Sequence, residues 1–205
     1  MAGLFLSVPA FAQSNTFSLT PQDKALVGRI SQYFNSFTHL EGNFTQIDPQ
    51  GRTTKGKIYL RRPARFRFEY TTPETLLVVS DGTWLIIQED GYGPAQRYPL
   101  GLTPLRPILS SGTIDLERVA SIVALMQENG FVSITLADPN NQIPGTITLI
   151  FDNQITELRQ WIVTDARNQR THITLSDLVF DIPAPPVLFT VDESGGRLER
   201  FRRPR

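Results

Sequence analysis

The sequence predicts a mainly β fold with helices (α+β): a long antiparallel sheet that curls until it closes or half-closes, with a helix plugging the mouth of the curl. Three observations predict it. Short segments of alternating apolar and polar residues recur along most of the chain, separated by Pro or Gly turns. One amphipathic segment near the start carries a broad aromatic face. Of the 205 residues, 40% are hydrophobic, enough for a sizeable core, and neither an internal repeat nor an interdomain linker divides them.

The first residues read as a leader. An apolar run over 2–8 is followed by Pro9 and then by Ala10, Phe11 and Ala12, the small-x-small pattern of a signal peptidase site, although a positively charged start is missing. Residues 1–12 are expected to be a residual signal peptide cleaved near Ala12, and 13–19 an N-terminal extension. No later run approaches the ~18 apolar residues of a membrane span. The mature chain is expected to be exported without an anchor.

Residues 20–37 predict a helix. Thr20 suits the N-cap, Pro21 the first turn and Asp23 the positive end of the helix dipole. Leu26, Ile30, Tyr33, Phe34 and Phe37 share one face at helical spacing. Strands follow at 42–48, 56–62, 65–70, 75–81 and 83–89, with Asp81 and Gly82 as a hairpin turn. Residues 102–112 break the alternation with two prolines and few charges, which predicts a short, partly helical insertion. A second helix is expected over 115–130, capped by Asp115 and stopped by Gly130, with Leu116, Val119, Ile122, Val123 and Met126 inward. Strands resume at 130–138, 145–152, 157–165 and 171–180. The domain is expected to span 20–192, followed by a basic tail over 193–205.

Charge narrows the function. Lys+Arg and Asp+Glu both number 20, so the net charge is zero, against the basic excess usual in a nucleic-acid binder. Seven cations nevertheless fall within 52–67 and five within 197–205. In the stretch RFRFEY, Arg65, Arg67 and Glu69 share one strand face and Phe66, Phe68 and Tyr70 the other. A single-strand nucleic-acid platform needs both kinds of side chain on one surface. The charged face is expected to be solvated and self-paired, the aromatic face inward. Arg62 ends its strand just before Pro63 and is expected to point into the mouth of the curl. A guanidinium there must find acceptors, and loop carbonyls would serve.

Catalytic signals are missing. The chain has no cysteine, which excludes disulfides, thiolate metal sites, a cysteine nucleophile and a lipidated N-terminal cysteine. Its two histidines, His39 and His172, are far apart and form no zinc motif. Ser110, Ser111 and Gly112 sit in a Pro-rich loop with no histidine nearby. The stretch DGYGPAQ reads as a hairpin loop rather than a phosphate loop. Asp48, Asp81, Glu89 and Asp90 lie near strand ends without calcium-loop spacing. No catalytic residue, metal ligand or cofactor is expected.

Several stretches together resemble the periplasmic outer-membrane lipoprotein carrier family, LolA. These are GNFTQ, GKIYLRRPARFRFEYTTP, VVSDGTWLIIQ, LTPLRPILSS, WIVTDARNQRTHITLSDL and FDIP, within about residues 20–190. The resemblance implies an unclosed antiparallel β-barrel with an α-helical lid over a hydrophobic cavity. It implies a soluble periplasmic monomer that takes acylated lipoproteins from an inner-membrane ABC exporter to an outer-membrane lipoprotein acceptor. The cargo-binding positions it implies are Phe34, Phe44, Tyr59, Phe66 and Phe68, with Leu105, Ile108 and Leu109 in the lid. Tyr59 stands where many members carry Trp. Arg62 is implied to lock the lid by hydrogen bonds. The anchored acceptor of the same fold carries a lipidated cysteine, which this chain lacks, so the resemblance is to the soluble shuttle. The alternative reading is a lipid- or lipoprotein-sensing regulatory domain of the same fold, although such proteins generally carry a second domain. A lipid-modifying hydrolase is disfavoured by the missing nucleophile–base pair.

Overall fold

Helix α1 (Pro21–Asn35) begins where the sequence places its cap. In the computed structural model, which describes residues 18–73, 75–89, 94–109 and 112–191, the Thr20 hydroxyl accepts from the Asp23 amide at 3.2 Å. The Asp23 carboxylate accepts from the Thr20 amide at 2.9 Å, completing a capping box. The expected leader, all of the N-terminal extension before Ser18 and the basic tail lie outside the described residues. So do Asp90, Ser110, Ser111 and most of the DGYG loop. Val27, Ile30, Tyr33 and Phe34 of α1 are buried, as is Phe37 just beyond its end.

Among the described residues eleven strands form one antiparallel sheet: β1 (His39–Ile47), β2 (Thr53–Arg61), β3 (Arg65–Thr72), β4 (Leu76–Asp81), β5 (Trp84–Glu89), β6 (Gln96–Pro99), β7 (Ser121–Glu128), β8 (Phe131–Ala137), β9 (Thr146–Asp152), β10 (Leu158–Thr164) and β11 (Arg170–Phe180). The order is β6-β5-β4-β3-β2-β1-β11-β10-β9-β8-β7, so β6 and β7 are edges and the barrel is unclosed. The first and last strands meet at its centre, where Phe44 lies opposite Leu175. Inward residues alternate as expected: Phe66, Phe68 and Tyr70 on β3, Ile147, Leu149 and Phe151 on β9. Between β6 and β7 lie a 3-10 turn (Leu100–Leu102) and two one-turn helices, α2 (Arg106–Leu109) and α3 (Leu116–Val119).

Three expectations are corrected. The second helix ends after α3; Ala120 is extended, and 121–128 is edge strand β7. Asn129 (φ 51°) and Gly130 (φ 80°) form a two-residue hairpin turn that sets Glu128 opposite Phe131. A bulge between Ile122 and Ala124 breaks the alternation and imitates a helical period. Val123 and Met126, expected inward, are exposed. Strand β6, all four residues exposed, had no predicted counterpart. The outer face of β3 is covered rather than solvated. A 3-10 turn (Pro186–Phe189) lies across β3 and β4, burying Phe189 with Leu77, Val79 and Ile86. Arg67 donates to Glu69 Oε1 at 2.6 Å, as the charge pairing predicts, and also to Leu188 O at 3.1 Å.

Gly56 is required by close approach. A Cβ there would lie 2.0 Å from Glu69 O and 2.8 Å from the Phe44 ring, which crosses the strand at this point. Gly56→Val is expected to destabilise the fold by roughly 3 kcal/mol or more, read as a drop in the urea midpoint.

Two buried phenols make the fold sensitive to alkali. The Tyr33 hydroxyl accepts from Leu158 N at 3.2 Å, and burial pushes its pKa up to about 12. Burial does the same to Tyr70, whose hydroxyl donates to Gln46 Oε1 at 2.8 Å. An unfolded phenol ionises near pH 10. Below that pH both states hold the proton and nothing changes; between pH 10 and 12 only the unfolded state releases it. Stability is expected to fall across that window by about 2–3 kcal/mol per tyrosine, with Tyr33→Phe removing part of the slope.

Candidate functional site

The inward faces of β1–β3, β10 and β11 converge with α1 and the 100–109 segment on one cavity. Helix α1 and the turn after it supply Tyr33, Phe34 and Phe37. The sheet supplies Leu40, Ile58, Leu60, Phe66, Phe68, Leu158, Trp161 and Leu175. Leu105, Ile108 and Leu109, in and just before α2, close the top as a lid. All the lining side chains are apolar except at Tyr33 and Trp161. The remaining space is ≈ 30 Å³, room for about two waters, and too small for an acyl chain. The cavity is filled largely by the side chains of its own covers. Tyr33 stacks edge-to-face on Phe34 and Phe151 (centroids 5.4 and 5.2 Å), and Phe68 on Trp161 (5.9 Å).

Of the residues implied by resemblance, Phe34, Phe66, Phe68, Leu105, Ile108 and Leu109 line this cavity. Two do not. Phe44 faces inward but lies four residues along β1 from Leu40, beneath Phe68 and Tyr70 (5.0 and 4.9 Å), so it supports the wall. Tyr59 points to the opposite face, into a polar recess with Glu41, Asn43, Lys57 and Asp177. The pleat dictates this: Ile58 and Leu60 are inward, so the residue between them is outward. Ile58 and Leu60 are the β2 lining, and the alternation signals them.

Arg62 occupies the β2–β3 corner. Its Nη1 donates to Phe34 O and to Asn35 Oδ1 (3.2 Å), and its Nη2 donates to Gly112 O at 2.8 Å. Its Nε is buried without an acceptor among the described residues, and burial lowers its pKa from the usual arginine value. One guanidinium thus ties the end of α1 and the trailing end of the lid to the sheet. Asn35 strengthens the knot: Nδ2 donates to Ile114 O at 2.7 Å, and Oδ1 accepts from Ile114 N at 2.9 Å. Ser31 Oγ accepts from Leu116 N at 3.2 Å.

No group of three or more His, Asp or Glu side chains among the described residues is placed to hold a metal. No helix among them is long and apolar enough to cross a membrane.

The family model for the outer membrane lipoprotein carrier protein LolA matches residues 35–192, more than three-quarters of the chain. The chain belongs to the LolA family. It is similar to the outer-membrane lipoprotein carrier protein of Methylococcus capsulatus, with 28% identity over 184 residues covering 86% of each chain. It is also similar to the protein of that name from Francisella tularensis subsp. novicida, with 28% identity over 172 residues, 76% of this chain and 82% of that one. Among solved structures it resembles a LolA superfamily protein from Nitrosomonas europaea, at a TM-score of 0.47 and 9% identity, covering 84% of this chain and 98% of the other. The LolA match starts at the last residue of α1, so the sheet, the lid and Arg62 fall inside it.

Proposed function

We propose that this LolA-family protein is a soluble periplasmic carrier. It takes the acyl chains of lipoproteins released from the inner membrane by an ABC exporter and delivers them to an acceptor in the outer membrane. The observation that supports this reading is the cavity: its walls are apolar, and its contents are side chains of α1 and the lid, which can be displaced together with their elements.

A carrier must hide acyl chains and still release them. Each buried methylene is worth ~0.8 kcal/mol. Three fully sheathed chains would yield tens of kcal/mol, beyond the practical ceiling of about 20, and would not leave without an energy source. The empty state supplies the opposing term. To admit a chain, Phe34, Ile108 and Leu109, all buried in the closed form, must leave the cavity, at ~1.5–3 kcal/mol for each side chain that is re-exposed. Arg62 must give up hydrogen bonds worth roughly 1.5–3 kcal/mol each. Cargo therefore shifts a closed–open population rather than filling a standing void. Nothing in this cycle calls for catalysis.

The test is purification from cells with an active lipoprotein exporter. Intact acylated lipoprotein is expected to co-purify one to one. Free acyl products would point to an enzyme instead, and stable capture of an unacylated signalling partner to a sensor.

A further inference from the structure

The two ends of the lid are held differently from its middle. The leading end is pinned where Leu100 N donates to Thr83 O at 3.0 Å, with Leu100 buried. The trailing end is clamped by Arg62 on Gly112, Asn35 on Ile114 and Ser31 on Leu116. Ile114 and Leu116 are fully buried. Helix α2, between these ends, reaches the far side of the sheet through an ion pair. Arg106 Nη1 donates to Asp138 Oδ1 at 3.3 Å, in the loop after β8.

This pair is asymmetric. The Asp138 side chain is 4% exposed and that of Arg106 is 52% exposed. The other Asp138 oxygen accepts from Gln142 N at 2.8 Å, so the acceptor is fixed by its own loop whether or not Arg106 is present. A recess of about 10 Å³, room for at most one water, lies beside the pair among Thr103, Pro104, Pro107, Leu136 and Ile143. Breaking the pair turns an already half-exposed guanidinium to water and leaves Asp138 with a partner. Breaking the Arg62 knot would strip three acceptors from a guanidinium whose Nε already has none. Asp138 keeps the hydrogen bond from Gln142 N when its pair breaks, whereas Arg62 would keep none of its three acceptors, so the Arg106 pair is the tie that costs less to break.

We infer that Arg106 and Asp138 form a releasable latch at the tip of the lid, separate from the Arg62 lock. The lid opens tip first, pivoting on its clamped base at 112–116, and α1 is disturbed only afterwards. Arg106 is on this account a positioning residue that holds Ile108 and Leu109 in the cavity. That the opening admits acyl chains rests on the carrier reading; the latch itself does not.

Hydrogen exchange of the full chain, without ligand, tests it. In Arg106→Gln the amides of Ile108 and Leu109 are expected to exchange roughly three- to tenfold faster than in wild type. Those of Ile114, Leu116 and α1 should not change, and Arg106→Lys should restore part of the protection. Gln keeps the Asp138 loop intact, so the variant does not depend on remodelling it. Unchanged exchange at Ile108 and Leu109 overturns the latch. So does acceleration that spreads equally to Ile114 and α1, which would mean that lid and helix move as one body. With a fluorescent long-chain fatty acid as probe, the association rate should rise in Arg106→Gln. If the lid amides accelerate while neither protein binds the probe, the latch stands and the carrier reading fails.

Discussion

Arg62→Leu is expected to leave the sheet folded, to tighten binding of an acylated cargo, and to slow its transfer to an outer-membrane acceptor. The reasoning is a balance of states. In the closed form Arg62 donates to Phe34 O, Asn35 Oδ1 and Gly112 O. Leucine makes none of these bonds, so the closed form loses roughly 1.5–3 kcal/mol for each one that is not replaced by water. On the proposed cycle the open, loaded form has already released them, so it would be little affected. Loss of even one bond moves the equilibrium toward the open form by about tenfold, since 1.4 kcal/mol is a factor of ten. Cargo affinity rises by the same factor, divided between faster entry and slower release. Side-chain stem packing is largely preserved by Leu, and removal of a buried Nε without an acceptor offsets part of the loss in stability. The urea midpoint is expected to fall by whatever part of that loss is not offset, with the sheet still folded by circular dichroism, while the transfer rate falls by up to about tenfold for each bond lost. Transfer at the wild-type rate would remove Arg62 from the cycle.

The same balance explains why a carrier fills its own cavity. A standing void large enough for acyl chains would sacrifice packing contacts in every empty molecule and bind cargo too well to give it up. On the carrier reading, α1 and the lid as provisional occupants would make the empty state stable and the loaded state not excessively so. On the carrier reading, two ties of unequal strength, the Arg106–Asp138 pair and the Arg62 knot, would let entry proceed in steps.

What could be read from the sequence was what local periodicity encodes. The cap of α1 and most strands follow from the Thr20–Asp23 pair and from period-two alternation. In place of the helix expected over 115–130 stands a bulged edge strand that spaces its apolar residues irregularly, and Gly130, expected to stop that helix, is the second residue of the Asn129-Gly130 hairpin turn. Strand β6 has no buried face to pattern it, since all four of its residues are exposed. Tyr59 shows the limit of mapping by resemblance: Ile58 and Leu60 on either side fix its direction outward whatever its relatives carry there. Phe44 faces inward but lies beyond the end of the closed cavity, because alternation tells which side a residue faces and not how far along the strand the cavity ends. The Arg106–Asp138 pair joins residues 32 apart across a lid and a loop, and no local pattern carries it.

Phe68→Asp is expected to abolish binding of a fluorescent lipid probe. Phe68 is 8% exposed and contacts Phe44, Phe66 and Trp161 at 5.0, 5.7 and 5.9 Å between centroids, on the wall that an acyl chain would face once the lid lifts. A carboxylate there either stays ionised, at a large desolvation cost against hydrocarbon, or takes up a proton at a raised pKa. In both forms an acyl chain loses its contact with the ring. The substitution also removes the packing of a phenyl group, at roughly 3–5 kcal/mol, so loss of the fold would imitate loss of binding. Leu60→Asp separates the two effects. Leu60 lines the same wall but is only half-buried, so the fold tolerates the change better while the probe meets the same charge. Tyr59→Asp, one residue away on the opposite face, supplies the control. Circular dichroism and urea midpoints establish which variants are folded. Among folded proteins, the probe should bind wild type and Tyr59→Asp with affinities within about twofold of each other, a span of ~0.4 kcal/mol, and should bind Leu60→Asp at least tenfold more weakly. Equal binding by Leu60→Asp and Tyr59→Asp would mean that acyl chains do not enter along β2 and β3, and that the apolar wall is simply the core of the sheet.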